Sequence, residues 1–176
     1  MKFLVLAAGQ GTRLRPLTDE QPKCMVKFNN VPIIDYILNT ADECGLDKIA
    51  FVTGYKANVL RDHLSGHDIT FFHNDKFAET NMVESLFSAK SFFDEDLIVS
   101  YSDIIYRAET LHRLMVSTDD VNVVVDKSWN DLWSKRMENP LDDAEKLVLT
   151  DGKISQIGQK TDNIAEIDAQ YIGLIK

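Results

Sequence analysis

The feature that most restricts this chain is an apolar run that ends in a glycine loop. Lys2 to Ala7 (KFLVLA) shows no polar alternation, so a strand here must be covered on both faces. It passes directly into Ala8-Gly9-Gln10-Gly11-Thr12-Arg13. Lys48 to Thr53 (KIAFVT) repeats the pattern and ends in Gly54-Tyr55, and Leu97 to Ser100 (LIVS) runs into Tyr101-Ser102-Asp103. Between these runs the period changes. Val31-Pro32 opens a helix in which Ile33, Ile34, Ile37, Leu38, Ala41 and Cys44 recur at helical spacing, with Gly45 as its stop. Ala57 to Leu64 suits a short helix and Ile69 to His73 a strand. Met82, Leu86, Ala89 and Phe93 share one helical face, Ala108 to Met115 is a further helix, and Val121 to Val125 a strand. Leu147 to Thr150 and Lys153 to Ile157 flank Asp151-Gly152 as a hairpin, and Tyr171 to Ile175 is a last strand.

Strands alternating with helices predict an α/β fold: a three-layer α-β-α arrangement on a mostly parallel, Rossmann-like sheet, with a small β-hairpin or flap. Ligands in such sheets bind beyond the carboxyl ends of the strands. The segments 8–13, 54–55 and 102–103, together with Asp126, all fall at such ends.

Length and charge remove several alternatives. The 176 residues suit a single domain, 1–176. A formal net charge of −9 with no Lys/Arg block argues against nucleic acid as a partner. No apolar stretch reaches membrane-span length, and the N-terminal run is too short for a signal peptide, so no membrane partner is expected. Cys24 and Cys44 form no CxxC pair, which makes a reduced, cytoplasmic setting the expectation. His63, His67, His73 and His112 show no metal-ligand spacing with cysteine.

The first loop is neither of two familiar phosphate loops. GxxxxGK[ST] is absent, and the third glycine of GxGxxG is replaced by Leu14. A GxG turn alone could serve packing. Here, however, Arg13, Arg15, Lys23 and Lys27 cluster in an otherwise acidic chain. Amides exposed by glycine can wrap a polyphosphate, arginine supplies a bidentate fork and lysine a point charge. Together they could neutralise the charge that develops as a phosphoanhydride breaks.

The stretch L-A-A-G-x-G-T-R-L-x-P-L-T, followed by P-K-x-M and an I-x-Y-x-L helix, resembles the signature of the sugar-phosphate nucleotidyltransferases. The likeness is densest over residues 1–40 and continues more loosely through 52–55 and 102–103. It implies the nucleotide-diphospho-sugar transferase fold and a reaction joining a nucleoside triphosphate to a small phosphate compound with release of pyrophosphate. On this resemblance the backbone of Ala8 to Thr12 cradles the triphosphate, and Leu6, Ala7, Ala8, Gly9, Gly11 and Thr12 belong to the nucleotide-binding set. Arg13 binds the leaving pyrophosphate, Lys23 reaches the α-phosphate, and Asp103 is the metal aspartate for Mg²⁺. Gly54, Tyr55 and Ser102 join the nucleotide-binding set. The alternative for Lys23 is a solvated loop lysine, and for Asp103 a strand-end cap.

Downstream, Asn81-Met82-Val83-Glu84-Ser85-Leu86 has the N-x-x-x-S-L form. It resembles the branch containing phosphocholine and 2-aminoethylphosphonate cytidylyltransferases, which implies CTP, with Asn81, Met82 and Ser85 beside the base. Asn81 carries both a donor and an acceptor for cytosine, and it is equally a plain N-cap; both roles can hold together. Trp129, Trp133 and Arg136 fall at i, i+4 and i+7, flanked by Asp126 and Lys127. A cationic acceptor could sit on the aromatic faces, while an amino-acid or aminophosphonate acceptor would use Lys127 or Arg136 for its anion. The alternative is a tryptophan-anchored flap that contacts no ligand. The segment is also similar to capsule-modification cytidylyltransferases, including those using phosphoglutamine.

Family members run further at the C-terminus, so the chain is expected to lack the usual C-terminal segment with a second metal ligand. A CTP-dependent cytidylyltransferase acting on a small phosphorylated or phosphonate acceptor, in cell-surface polysaccharide or lipid modification, is the leading reading. A sugar-1-phosphate uridylyl- or thymidylyltransferase and a non-catalytic nucleotide-binding module are the alternatives. A homo-oligomer is left open.

Overall fold

A computed structural model describes residues 1–176. Strand β1 (Lys2–Ala7) lies between two parallel neighbours, β4 (Lys48–Thr53) and β6 (Leu97–Tyr101). Leu4 is level with Ala50 on one side and Val99 on the other. This placement accounts for the unbroken apolar run, because Phe3, Leu4 and Val5 are all completely buried. β5 (Ile69–His73) adds to β4 in parallel, with Phe51 level with Phe71. A short antiparallel hairpin precedes β4: β2 (Lys27–Phe28) and β3 (Val31–Pro32), turning through Asn29 and Asn30 at positive φ. The residues expected to open the first helix are therefore strand, and Pro32 caps helix α1 (Ile33–Glu43) from outside. Proline's fixed φ suits either place, which is why sequence spacing could not separate them.

Helices α2 (Ala57–His63), α3 (Met82–Ser88) and α4 (Ala108–Met115) complete the layers around the sheet. Leu4, Ala50 and Val52 share a buried cluster with Ala89 and Phe92, against which Leu86 and Phe93 pack. Because side chains alternate along a strand, Phe3, Val5 and Phe51 point to the other face, and they too are completely buried. α1 and α4 pack together there: the Cys44 thiol donates to the Ala108 carbonyl and the Thr40 hydroxyl to that of Tyr106. α3 is shorter than its apolar spacing suggests. It ends at Ser88 and continues as a 3-10 turn over Lys90–Phe92, and its first residue, Met82, is exposed.

The chain divides into two compact units, Met1–Asn122 with Gly173–Lys176, and Val123–Ile172. In the first, the end of β10 (Gln170–Ile175) runs antiparallel to β6, Leu174 facing Ser100. The second contains β7 (Val123–Asp126), helix α5 (Trp129–Trp133), and the hairpin of β8 (Lys146–Thr150) and β9 (Lys153–Gln159). Asp151 and Gly152, at φ 52° and 77°, form the hairpin turn expected from an Asp-Gly pair. Trp129, Ala144 and Ile167 form this unit's buried core, with Trp133 and Leu141 packed on it.

Candidate active site

The glycine loop leaves β1 beside its carboxyl end and turns sharply at Gly11, which has φ +61°. A Cβ at Gly11 would come within 3.0 Å of Lys23 Cβ and 3.2 Å of Thr18 Cγ2, so glycine fits both the backbone and the space. Thr18 is fully buried and its hydroxyl donates to the Gly11 carbonyl at 2.9 Å, fixing the loop from beneath. A 3-10 turn, Thr12–Leu14, follows and carries Arg13.

Gly54 and Tyr55 act behind this loop. A Cβ at Gly54 would lie 2.6 Å from Phe77 Cβ and 2.7 Å from the Ala8 carbonyl. The Tyr55 amide donates to that carbonyl at 3.0 Å, and its hydroxyl lies 2.9 and 2.8 Å from the carbonyls of Thr18 and Asp19. Neither residue lines the cavity in front.

Lys23 begins a second 3-10 turn whose next residues, Cys24 and Met25, are buried. Those two anchors present the lysine outward, where it pairs with the Asp103 carboxylate just past the end of β6. Both side chains keep about a third or less of their exposure, 34% for Lys23 and 25% for Asp103. Burial, reinforced by the Asp103 charge, pushes the Cys24 thiol up to about 12, so it is a neutral packing group and no nucleophile.

In front of these residues lies a cavity of about 550 Å³, a size suited to a small-molecule ligand. Its lining includes Leu6, Ala7, Ala8, Gly9, Gly11, Thr12, Arg13 and Lys23 from the loop region. Asn81, Met82 and Ser85 line it from the start of α3, and Ser102 and Asp103 from the end of β6. Thus the loop after β1, the start of α3 and the end of β6 meet at one cavity, whereas Gly54 and Tyr55 stay behind the loop. Of the four clustered cations, Arg13 and Lys23 reach the cavity, whereas Arg15 faces Asp19 at 3.5 Å and Lys27 is exposed on β2. Asn81 is an N-cap, its Oδ1 accepting from the amides of Val83 at 2.9 Å and Glu84 at 3.2 Å, and it also lines the cavity.

Leu14, Phe77, Thr80 and Tyr101 line the cavity as well and were not singled out from sequence. Tyr101 ends an apolar strand and could have been found by that position alone. Phe77 and Thr80 sit in an aperiodic loop and carry no such signal.

Asp126, Lys127, Trp129, Trp133 and Arg136 all belong to the second unit. Asp126 Oδ1 accepts from the Ser128 amide at 2.8 Å, a local turn, and Lys127 follows it in the chain. Trp129 is 2% exposed, so its ring is core and offers no free face. Trp133 packs edge-on to it, with centroids 5.6 Å apart, and the Arg136 guanidinium lies 5.7 Å from the Trp133 ring centroid. The shared face read from i, i+4, i+7 spacing thus holds for Trp133 and Arg136, even though α5 ends at Trp133. No group of three or more His, Cys, Asp or Glu side chains gathers anywhere as a metal cage.

A glycine loop, two cations and one carboxylate at strand ends suit nucleotide phosphates, and comparison with known proteins gives the same direction. The model of the MobA-like NTP transferase domain matches residues 3–157. The chain belongs to that family. Its relatives include the CTP:phosphoglutamine cytidylyltransferase of Campylobacter jejuni, 47% identical over the whole chain and 72% of that protein. The choline-phosphate cytidylyltransferase of Streptococcus pneumoniae is 31% identical over 67% of the chain and 52% of its own length. The UTP–glucose-1-phosphate uridylyltransferase AglF of Haloferax volcanii is 34% identical over 61% of the chain and 45% of its own length. The chain therefore spans about half to three quarters of these relatives. Among solved structures, the S. pneumoniae CTP:phosphocholine cytidylyltransferase matches with a TM-score of 0.71 and 24% identity, covering 99% of this chain and 69% of that one. The inositol-1-phosphate CTP transferase of T. maritima matches at 0.79 with 21% identity, covering 99% and 69%. At these identities the structural matches establish the nucleotidyltransferase fold.

Proposed function

We propose that residues 1–176 act as a nucleotidyltransferase domain that moves CMP from CTP to a small phosphorylated or phosphonate acceptor. The observation that carries this reading is the single cavity in which the glycine loop, Arg13, Lys23 and Asp103 converge. The 47% identity to a CTP:phosphoglutamine cytidylyltransferase supports cytosine as the base and an amino-bearing phosphate as the acceptor. Phosphoglutamine leads, with phosphocholine and 2-aminoethylphosphonate as chemically related candidates.

The amides of Ala8 to Thr12 hold the triphosphate, and Arg13 takes its β- and γ-phosphates with a bidentate fork. An acceptor phosphate oxygen attacks the α-phosphorus in line. The bond from the α-phosphorus to its bridging oxygen breaks, and pyrophosphate leaves with that electron pair. Lys23 stabilises the charge gathering on the α-phosphate oxygens. No side-chain nucleophile is required. The family's chemistry typically uses a divalent cation; Asp103, a lone carboxylate in the cavity, suits Mg²⁺, which takes one or two carboxylates and completes its shell with phosphate oxygens and water. Bound there, Mg²⁺ would supply further charge neutralisation on the phosphates. In the second unit, Trp133 and Arg136, with Asp126 and Lys127 nearby in sequence, are the proposed acceptor contacts. Free Cys24 and Cys44 suit a cytoplasmic setting, where the nucleotide is found.

Pyrophosphate release measured for CTP, UTP, dTTP and ATP against a panel of acceptors tests the reading. CTP with an amino-bearing phosphate is expected to give the fastest release. Turnover of UTP or dTTP with a hexose-1-phosphate, and none of CTP, would instead establish the sugar-nucleotide reading, which the 34% identity to a uridylyltransferase favours.

A further inference from the structure

Tyr55 lies just past β4 and Thr18 in the turn after the glycine loop. Neither lines the cavity, yet both hold carbonyls of the loop that does. The Tyr55 amide donates to the Ala8 carbonyl at 3.0 Å. The hydroxyl of the fully buried Thr18 donates to the Gly11 carbonyl at 2.9 Å. That oxygen also accepts from the Leu14 amide at 2.9 Å, so both of its lone pairs are engaged. Thr18 is held in turn. The Tyr55 hydroxyl lies 2.9 and 2.8 Å from the carbonyls of Thr18 and Asp19 and gives its proton to them. Tyr55 thus reaches the loop twice, at Ala8 through its amide and at Gly11 through Thr18.

A trans peptide is planar, and the carbonyl of one residue points opposite to the amide of the next. The Ala8–Gly9 and Gly11–Thr12 links are trans. Drawing the Ala8 carbonyl back toward Tyr55 therefore turns the Gly9 amide the other way, and drawing the Gly11 carbonyl toward Thr18 does the same for the Thr12 amide. Gly9 and Thr12 line the cavity, and neither amide has an acceptor within the chain. Glycine tolerates either sense of such a peptide, so the sequence Gly9-Gln10-Gly11 alone leaves these amides free to turn. The bonds from Thr18 and Tyr55 remove that freedom before a ligand arrives.

We propose that Thr18 and Tyr55 are positioning residues, their hydroxyls acting in series, that preorganise the Gly9 and Thr12 amides for the oxygens of a polyphosphate chain. The inference rests on the reading of this cavity as a nucleoside triphosphate site and is independent of the base. It is tested on the full chain by titration calorimetry with inorganic tripolyphosphate and CTP, and by NMR titration with cytidine, which carries no phosphate. The proteins compared are the wild type, Thr18→Val, Thr18→Ser, Tyr55→Phe and the double variant of Thr18→Val with Tyr55→Phe. Valine keeps the shape of threonine and removes the donor; serine keeps the donor.

Thr18→Val is expected to weaken tripolyphosphate and CTP by about tenfold and cytidine by less than about twofold, with Thr18→Ser close to wild type. Tyr55→Phe should show a smaller loss of the same pattern. The double variant should lose no more than Thr18→Val, because one hydroxyl works through the other. Unchanged tripolyphosphate affinity in Thr18→Val, an equal loss for cytidine, a Thr18→Ser as weak as Thr18→Val, or losses that multiply in the double variant would each overturn the proposal. A merely structural threonine would lower the thermal midpoint and leave the affinities of the folded chain alone. If melts show that Thr18→Val does not fold, an unchanged tripolyphosphate affinity in Tyr55→Phe overturns the proposal by itself. A wild type that binds neither CTP nor tripolyphosphate would refute the triphosphate reading and the proposal with it. One that binds both but transfers CMP to no acceptor would refute the transfer reading and leave the positioning standing.

Discussion

Lys23 and Asp103 neutralise each other across the cavity in the nucleotide-free chain. Binding of a triphosphate must redistribute that pairing, since phosphate oxygens compete for the lysine. Lys23→Ala is therefore expected to lower kcat by about 10²–10³-fold, the usual effect of removing one transition-state donor, while the CTP dissociation constant moves only a few-fold. Steady-state kinetics beside a direct binding titration checks this; a loss confined to affinity would contradict the assigned role. The buried Cys24 and the half-buried Tyr106 give a second expectation. Burial raises both, from 9.0 and 10.0 to about 12, so the folded chain keeps protons that the unfolded chain releases. Their contribution to stability is then complete below about pH 9 and is lost as pH rises toward 12, seen as a urea midpoint declining over that alkaline range that Cys24→Ala with Tyr106→Phe should flatten. Arg13, Lys23 and Asp103 were legible in the sequence because each lies within or at the end of a contiguous pattern. Phe77 and Thr80 were not, because their place in the cavity depends on how loop 74–81 returns to the sheet.

At the scale of elements, the central strands were readable because burial on both faces forces continuous apolar sequence. Leu4→Ala removes a fully buried side chain from β1 and should cost about 2–5 kcal/mol, measurable by chemical denaturation. β2 and β3 escaped notice because two-residue strands are too short to show a period. The antiparallel sense of β10 was equally hidden, since direction depends on the connection and not on the strand's own residues. One glycine in β10 bears on the site. Gly173 has φ +95°, and a Cβ there would fall 2.4 Å from the Tyr101 ring. Gly173→Ala should displace the Tyr101 ring from the cavity wall and weaken nucleotide binding beyond its effect on stability, tested by comparing CTP affinity with the denaturation midpoint.

For the whole molecule, the two units divide the proposed labour. The first holds the nucleotide residues and the second those assigned to the acceptor. Within the second, the two tryptophans separate in role. Trp129→Ala should destabilise that unit by about 3–5 kcal/mol, as expected for an emptied aromatic core position. Trp133→Ala should instead raise the KM for acceptor and leave CTP affinity unchanged. The i, i+4 spacing could not tell them apart, because it places residues on a face without saying what covers it. The measurement that bears most directly on the account follows the phosphorus atoms. CTP radiolabelled at its α-phosphorus is incubated with the chain, Mg²⁺ and phosphoglutamine, beside CTP labelled at its γ-phosphorus. The α label is expected in a CMP–acceptor product and the γ label in pyrophosphate. A γ label on the acceptor, or an α label recovered only as unreacted CTP or free CMP with every acceptor supplied, would contradict it.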